Sequence, residues 1–363
     1  MNPMSQTRRE FLATSIKVAV GTAAGTLTKN SLGTSSEKGK PLVSIVKIRS
    51  GKTGRAVSQA LDLLGGVQTI AKGKDSIMLK PNLLGPDPRA TTKPEIIKEL
   101  VRLMKAAGKD VCIGEGSAAS PGFNIRGEET FRTKNRQILD SMQKAVFEQL
   151  GYADLAKSLK IPLVNLHSGE MADVEVPNGF VFDKITLHRS LTDIDLLCSV
   201  PMMKTHVFTK VTLGMKNLMG VYPGTVYQSV RGMVHDLAAE VEPSGTAVAI
   251  VDVVRANKVG LVIIDGSTAM EGDGPTDGDL VRMDVIIAGT NPLATDMVAA
   301  AAMGFEPDEI PTFTWANKAG MVPPRLDEIE IRGEKLERVR HRFLKPKIYT
   351  WESVRKVWAA KQL

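Results

Sequence analysis

Residues 76–117 read SIMLKPNLLGPDPRATTKPEIIKELVRLMKAAGKDVCIGEGS, and this stretch decides the fold class. Ser76–Leu79 is a short apolar strand that runs into Lys80-Pro81-Asn82. Pro94 stands in the first turn of the following helix, where its missing N–H is no loss. That helix continues to Ala107 and stops at Gly108. Val111–Ile113 is again a strand of the buried type, ending at Gly114-Glu115-Gly116-Ser117. Strand, helix and strand with short connections imply a parallel sheet, whose functional loops lie beyond the carboxyl ends of the strands.

The same alternation extends outward. Leu42–Ile48 predicts a first strand, and the helix over Arg55–Leu64 stops at Gly65-Gly66. Residues 118–136 predict a long loop, of a length that is often functional in a compact domain, and Asn135–Leu150 a helix. Ile161–Leu166 predicts a strand, and Val174–Val176 with Val181–Leu187 a hairpin turned by Pro177-Asn178-Gly179. The apolar strand Ile194–Val200 leads into Pro201, helical segments fill most of 210–256, and the buried strand Val259–Ile264 ends at Asp265-Gly266. Val285–Ala288 and the helix Pro292–Met303 complete the core. The expected fold is α/β: a mostly parallel, Rossmann-like layered sheet flanked by helices, with a small β-hairpin insertion. One domain over residues 41–333 is expected, followed by a basic linker and helix over 334–363.

Residues 1–40 read as an address. Thr7-Arg8-Arg9-Glu10-Phe11-Leu12 resembles the twin-arginine consensus, and the segment Ala13–Leu27 is rich in Ala, Gly and Thr. It is too short and too mildly apolar for a span of about 20 residues, so no transmembrane domain is expected in the mature chain. The expectation is export by the twin-arginine machinery to the periplasm or beyond, tethered to the membrane where the signal is retained. Six Lys and Arg against Glu10 and Glu37 in this segment supply +4 of the formal +7. About +3 remains for the rest, which predicts no nucleic-acid partner. Two cysteines, Cys112 and Cys198, are too few for a four-thiolate cluster, so no iron–sulfur centre is expected. Both sit in apolar runs and read as buried free thiols.

Four strand ends carry polar clusters. The first is Lys80-Pro81-Asn82, and the second places Glu115 between two glycines. The third is Lys204-Thr205-His206 followed by Thr212, Lys216-Asn217 and Gly220. With Val211–Met219 helical, Thr212, Lys216 and Gly220 share one face. The fourth follows Ile264 with Asp265, Glu271, Asp273, Asp277 and Asp279 among glycines, a composition that supplies oxygen ligands to hard cations. It lacks the EF-hand spacing.

Together these clusters resemble the family called domain of unknown function 362. The resemblance lies in Lys80-Pro81-Asn82, in Lys204-x-His206 with Lys216-Asn217-x-x-Gly220, and in Asp265 with Ala269-Met270-Glu271-Gly272-x-Gly274-Pro275; Asp296 also fits. It covers roughly residues 42–305. Many members carry a ferredoxin-like four-cysteine segment that this chain lacks, so their redox role does not transfer. The resemblance implies kinship and no reaction.

The expected activity is an enzyme on a small anionic substrate, a carboxylate or a phosphate. His206, Lys204 and Lys216 are the expected catalytic residues, His206 as an acid–base with an ordinary pKa near 6.5, or a lysine of lowered pKa as base or Schiff-base nucleophile. Lys80, Asn82, Thr205, Thr212, Asn217 and Gly274 are expected around the ligand. Glu115, Asp265 and Glu271 would hold a divalent cation, or one of them would act as base. The other readings are a non-catalytic exported protein that binds an anion or a metal, and a redox-associated protein without its own cluster ligands. His167, His188 and His235 read as surface or satisfied core histidines.

Overall fold

The computed structural model describes residues 39–323 and 325–358. The twin-arginine motif and the segment after it lie outside the described residues. Among the described residues no helix is long and apolar enough to cross a membrane.

Among the described residues eleven strands form the central sheet. In chain order they are β1 (Leu42–Lys47), β2 (Ser76–Pro81), β3 (Asp110–Glu115), β4 (Leu163–Asn165), β5 (Leu196–Val200), β6 (Met202–His206), β7 (Lys210–Thr212), β8 (Val259–Glu271), β9 (Asp279–Val281), β10 (Val285–Gly289) and β11 (Glu330–Gly333). Eight of them follow the order β11-β1-β10-β8-β5-β2-β3-β4, while β6 pairs with β7 and β8, and β9 with β8. Within that row of eight, β10 alone runs against its neighbours. The mostly parallel α/β sheet is therefore as expected. The predicted hairpin is present too, as Met171–Glu175 against Lys184–His188.

Six helices matter for the site and the core: α1 (Thr53–Leu63), α2 (Pro94–Ala106), α3 (Arg136–Gln149), α4 (Gly214–Asn217), α5 (Ala247–Arg255) and α6 (Pro292–Ala302). Asn135 caps α3 by accepting from the backbone N–H groups of Gln137 and Ile138, which satisfies two donors left over at a helix start. Strand alternation divides the core in two. Ile77, Leu79, Cys198 and Ile263 pack with α1 and α2, whereas Met78, Leu197, Val262 and Ile264 pack with α5 and α6. Strands buried on both faces read as continuous apolar runs, which is why Ile194–Val200 and Val259–Ile264 were legible. Cys112 aligns with Met78 and Cys198 with Leu79, on opposite faces of the sheet, and both thiols are free. Burial pushes the Cys112 thiol up to about 11 and that of Cys198 higher still.

From β2 the chain adds β3 and β4 on one side, then crosses to lay β5 on the other. The crevice at such a reversal, outside the carboxyl ends of the strands, is where open α/β sheets hold ligands. Two predicted elements differ. The strand expected to end at Ile264 continues to Glu271, because β6 and β9 hydrogen-bond it beyond Asp265. The helix expected over Val211–Met219 is replaced by β7, α4 and a 3₁₀ turn at Leu218–Val221. Pairing of Lys204 with Thr212 and His206 with Lys210 holds residues 210–212 as a strand.

Candidate functional site

A cavity of about 810 Å³ opens at the ends of β2, β3 and β6. Lys80, Asn82, Glu115, Lys204, His206, Thr212, Lys216, Asn217, Gly220 and Gly274 all line it, together with Arg231 and His235. Strand parity selects the residues of β6: Lys204 and His206 face the cavity, and Thr205 faces away. Thr212 arrives opposite Lys204 through the β6–β7 pairing, and Lys216 and Asn217 follow on α4. The three residues expected to share a helical face therefore do meet, by a different local structure.

The floor of the cavity is a closed network. Lys80 Nζ donates to Glu115 Oε1 at 2.7 Å, to Asn217 Oδ1 at 3.2 Å and to the Pro81 carbonyl at 3.2 Å. Those bonds use all three ammonium donors. Glu115 also accepts from the backbone N–H groups of Leu83 at 2.9 Å and Gly116 at 2.8 Å. Asn217 donates to the Lys80 carbonyl and to Ser199 Oγ, both at 3.0 Å. Lys80 and Glu115 are 1% and 2% exposed as side chains, so the pair is fully desolvated. Gly220 lets the chain pass over it, since a Cβ there would lie 2.6 Å from Lys80 Nζ. Lys80, expected to neutralise a ligand, is thus a brace with no donor to spare.

Among the described residues, Lys204, Lys216 and Arg231 face the cavity without an ion-paired carboxylate. Lys204 Nζ donates to the carbonyls of Ala90 at 2.7 Å and Pro275 at 3.2 Å, which leaves one donor. Among the described residues Lys216 Nζ makes no hydrogen bond or ion pair. Burial first, then the neighbouring Lys216, lowers the Lys204 amine to about 7. Burial, with Arg231 and Lys80 nearby, brings Lys216 to about 7 as well. The Arg231 guanidinium is buried beneath them and donates to the carbonyls of Ser117 at 3.1 Å, Met219 at 3.0 Å, Gly220 at 2.8 Å and Gly116. Gln228, Val230 and Arg231 all take left-handed backbone angles, φ 68°, 50° and 57°. Such strain in non-glycine residues persists where surrounding structure imposes it, and it clusters at functional sites.

Two histidines have tautomers set by the backbone. His206 Nδ1 accepts from the Phe208 N–H at 3.1 Å, so the neutral ring carries its proton on Nε2. Burial, then Lys216 and Lys204, holds its pKa well below the usual value. The expected acid–base histidine of ordinary pKa is thus corrected: His206 is a neutral hydrogen-bond donor. His235 Nδ1 donates to the Gly245 carbonyl at 2.8 Å, which leaves Nε2 as an acceptor. Its ring stacks on Trp351 with centroids 4.5 Å apart. Asn82 Oδ1 and Thr212 Oγ1, at the cavity, are buried without a partner among the described residues.

Other expected site residues are placed elsewhere. Thr205 donates its hydroxyl to the Gly272 carbonyl at 2.8 Å, behind the cavity wall, where the cavity-lining Gly274 packs against it. Asp265 is wholly buried and accepts from Lys93 N at 3.0 Å and from Ser267 N and Oγ at 3.0 and 2.6 Å. Glu271 accepts from Leu344 N at 2.9 Å, and Asp273 from Lys347 N at 2.8 Å, so they clasp the C-terminal segment. Glu115 lines the cavity whereas Asp265 and Glu271 do not, and each of the three carboxylates is engaged by other groups. The cation site expected from Glu115, Asp265 and Glu271 is therefore not assembled. Among the described residues no group of three His, Cys, Asp or Glu side chains is arranged to hold a metal ion.

Sequence reasoning passed over Arg231 and His235. Both sit in a stretch expected to be plain helix, and His235 reads from the sequence as a surface or satisfied core histidine. It is satisfied at Nδ1 and faces the cavity at the same time. His167 fits its expectation, with Nε2 on the Ser117 carbonyl at 2.8 Å and Nδ1 accepting from Gly224 N at 3.1 Å.

Among curated proteins, the chain is similar to "Thylakoid-associated protein sll1697" of Synechocystis sp., 27% identical over 287 residues, 77% of this chain and 80% of that protein. Among solved structures it is similar to the lactate racemase apoprotein from Thermoanaerobacterium thermosaccharolyticum, at 17% identity and a TM-score of 0.37. That match covers 69% of this chain and 54% of the other, so the chain spans about half the length of that protein. A family model described as Domain of unknown function (DUF362) matches residues 77–301, more than half of the sequence and all four polar strand ends, and the chain belongs to that family.

Proposed function

We propose that the protein is an enzyme acting on an anionic carboxylate or phosphate substrate held at the ends of β2, β3 and β6. One observation carries the reading: Lys204, Lys216 and Arg231 crowd one cavity, while its buried carboxylate, Glu115, is already taken by Lys80. Burial first, and then the like charges beside them, lower the Lys204 and Lys216 amines to about 7. A bound anion removes that conflict. Lys204 and the His206 Nε2–H would hold its oxygens, and Thr212 would add a hydroxyl donor. Lys216 would hold the anion when protonated, and in the fraction of complexes where its amine stays neutral it would accept a proton from the substrate. The twin-arginine motif at Arg8-Arg9 supports export of the folded protein to the periplasm.

The test is calorimetric titration of the full chain with inorganic phosphate and with acetate near pH 8, repeated in two buffers of different ionisation heat. Binding is expected to take up protons, because the anion restores charge to the amines. Lys216→Met is expected to weaken it by about tenfold or more, the worth of a charge-assisted hydrogen bond. No binding by either anion sinks the reading. Solvent-deuterium incorporation into added carboxylates then separates an enzyme from a binding protein, which incorporates none.

A further inference from the structure

We infer that the ligand of this cavity is an amphiphile, an anionic head carried on an apolar body. The inference rests on the anion-site reading and goes beyond it to the class of molecule. Volume is the first argument. An anion the size of acetate fills on the order of 100 Å³, at about 30 Å³ for each non-hydrogen atom, the share of a water molecule in the liquid. The cavity measures about 810 Å³, well up the range of about 300–1,000 Å³ found for sites that enclose drug-sized molecules.

The distribution of side chains is the second argument. The cations come from strand ends, on β6 and α4 and from the turn at Arg231. The rest of the wall holds the carboxylates of Asp87, Asp273 and Asp277 and an apolar part that includes Leu84, Pro121, Ile125, Phe208, Tyr349 and Val354. These belong to separate segments: the turn after β2, the 118–136 loop with its small hairpin Ile125–Arg126/Glu129–Thr130, the turn after β6, and the C-terminal stretch. That last stretch is fastened to the domain. Tyr349 N donates to the Val207 carbonyl at 2.9 Å, Trp351 N donates to the Pro243 carbonyl at 3.0 Å, and the Trp351 ring is wholly buried. A compact anion would use the cationic end and leave this apolar wall facing water. An apolar body attached to the anion removes both surfaces from water together, at about 25 cal/mol for each Å² covered.

The test is a homologous series of straight-chain carboxylates from acetate to octanoate, titrated into the full chain below their micelle concentrations, with octanol as the uncharged control. Affinity is expected to rise about fourfold per added methylene, the equivalent of about 0.8 kcal/mol, and octanol to bind far more weakly than octanoate. Ile125→Asn is expected to flatten the rise. Equal affinity for acetate and octanoate overturns the inference and leaves the anion site standing. Octanol binding as well as octanoate overturns it from the other side, since the head group would then do nothing. Failure of every carboxylate and of phosphate removes the anion site itself. The wild-type series is decisive without the variant.

Discussion

Replacing Glu115 by Gln keeps the shape of the side chain and removes its charge, which isolates what the buried pair contributes. The carboxylate receives three N–H donors, from Lys80, Leu83 and Gly116, shared between its two oxygens. An amide has one oxygen, so at least one donor must face an N–H. That conflict costs about 1–3 kcal/mol, and Lys80 is left buried without its counter-charge. Removing one partner of a buried ion pair costs about 3–5 kcal/mol in all. The compact unit spans Lys40–Leu363, and at about 2.1 cal/mol/K per residue its unfolding entropy is about 0.7 kcal/mol/K. The expected fall in Tm is therefore about 4–7 °C, read by calorimetry near pH 7. Burial already lowers the Lys80 pKa, and the variant lowers it further. The unfolded chain then binds the extra proton, so the variant should gain stability as pH rises toward the ordinary lysine pKa. Adding Lys80→Met removes the stranded charge, and the double variant should melt above Glu115→Gln alone. A single variant within about 1 °C of wild type, or a double variant below the single, refutes the reasoning.

Two further outcomes follow from the same site. Lys204 and Lys216 have lowered pKa values, about 7 when folded, so their contribution to stability rises with pH above about 7 and is lost as pH falls through it. Asp296, whose carboxylate caps α4 at Gly214 N and Met215 N at 2.7 and 2.8 Å, is raised by burial to about 7. Its contribution is fullest below the ordinary carboxylate range and is lost as pH rises through about 7. Thermal melts across this range should lose the alkaline rise in Lys204→Met/Lys216→Met and the acidic fall in Asp296→Asn; unchanged profiles would contradict the burial of these groups. Thr212→Val should leave Tm within about 1 °C, because the hydroxyl has no partner among the described residues to lose. It should weaken phosphate binding several-fold in calorimetry, and equal affinity would mean that Thr212 does not touch the ligand.

The sequence by itself determined the layered α/β sheet, because strands buried on both faces must be apolar at every position and their ends must turn. It also marked Lys80, Asn82, Glu115, Lys204, His206, Thr212, Lys216 and Asn217, since polar residues that interrupt apolar runs at strand ends stand out along the chain. Their roles were decided only in three dimensions. Lys80 became a brace because β3 lies beside β2 and presents Glu115 to it. Thr205 left the site because β6 is a strand, which turns alternate residues away. Asp265 and Glu271 were parted because β6 and β9 pair with the segment between them and stretch it. Arg231 and His235 entered because a strained turn and the fold of the C-terminal stretch carry them to the cavity. Local pattern records which groups a chain carries and where it turns; pairing across the sheet decides which of those groups share a volume and which proton each one holds.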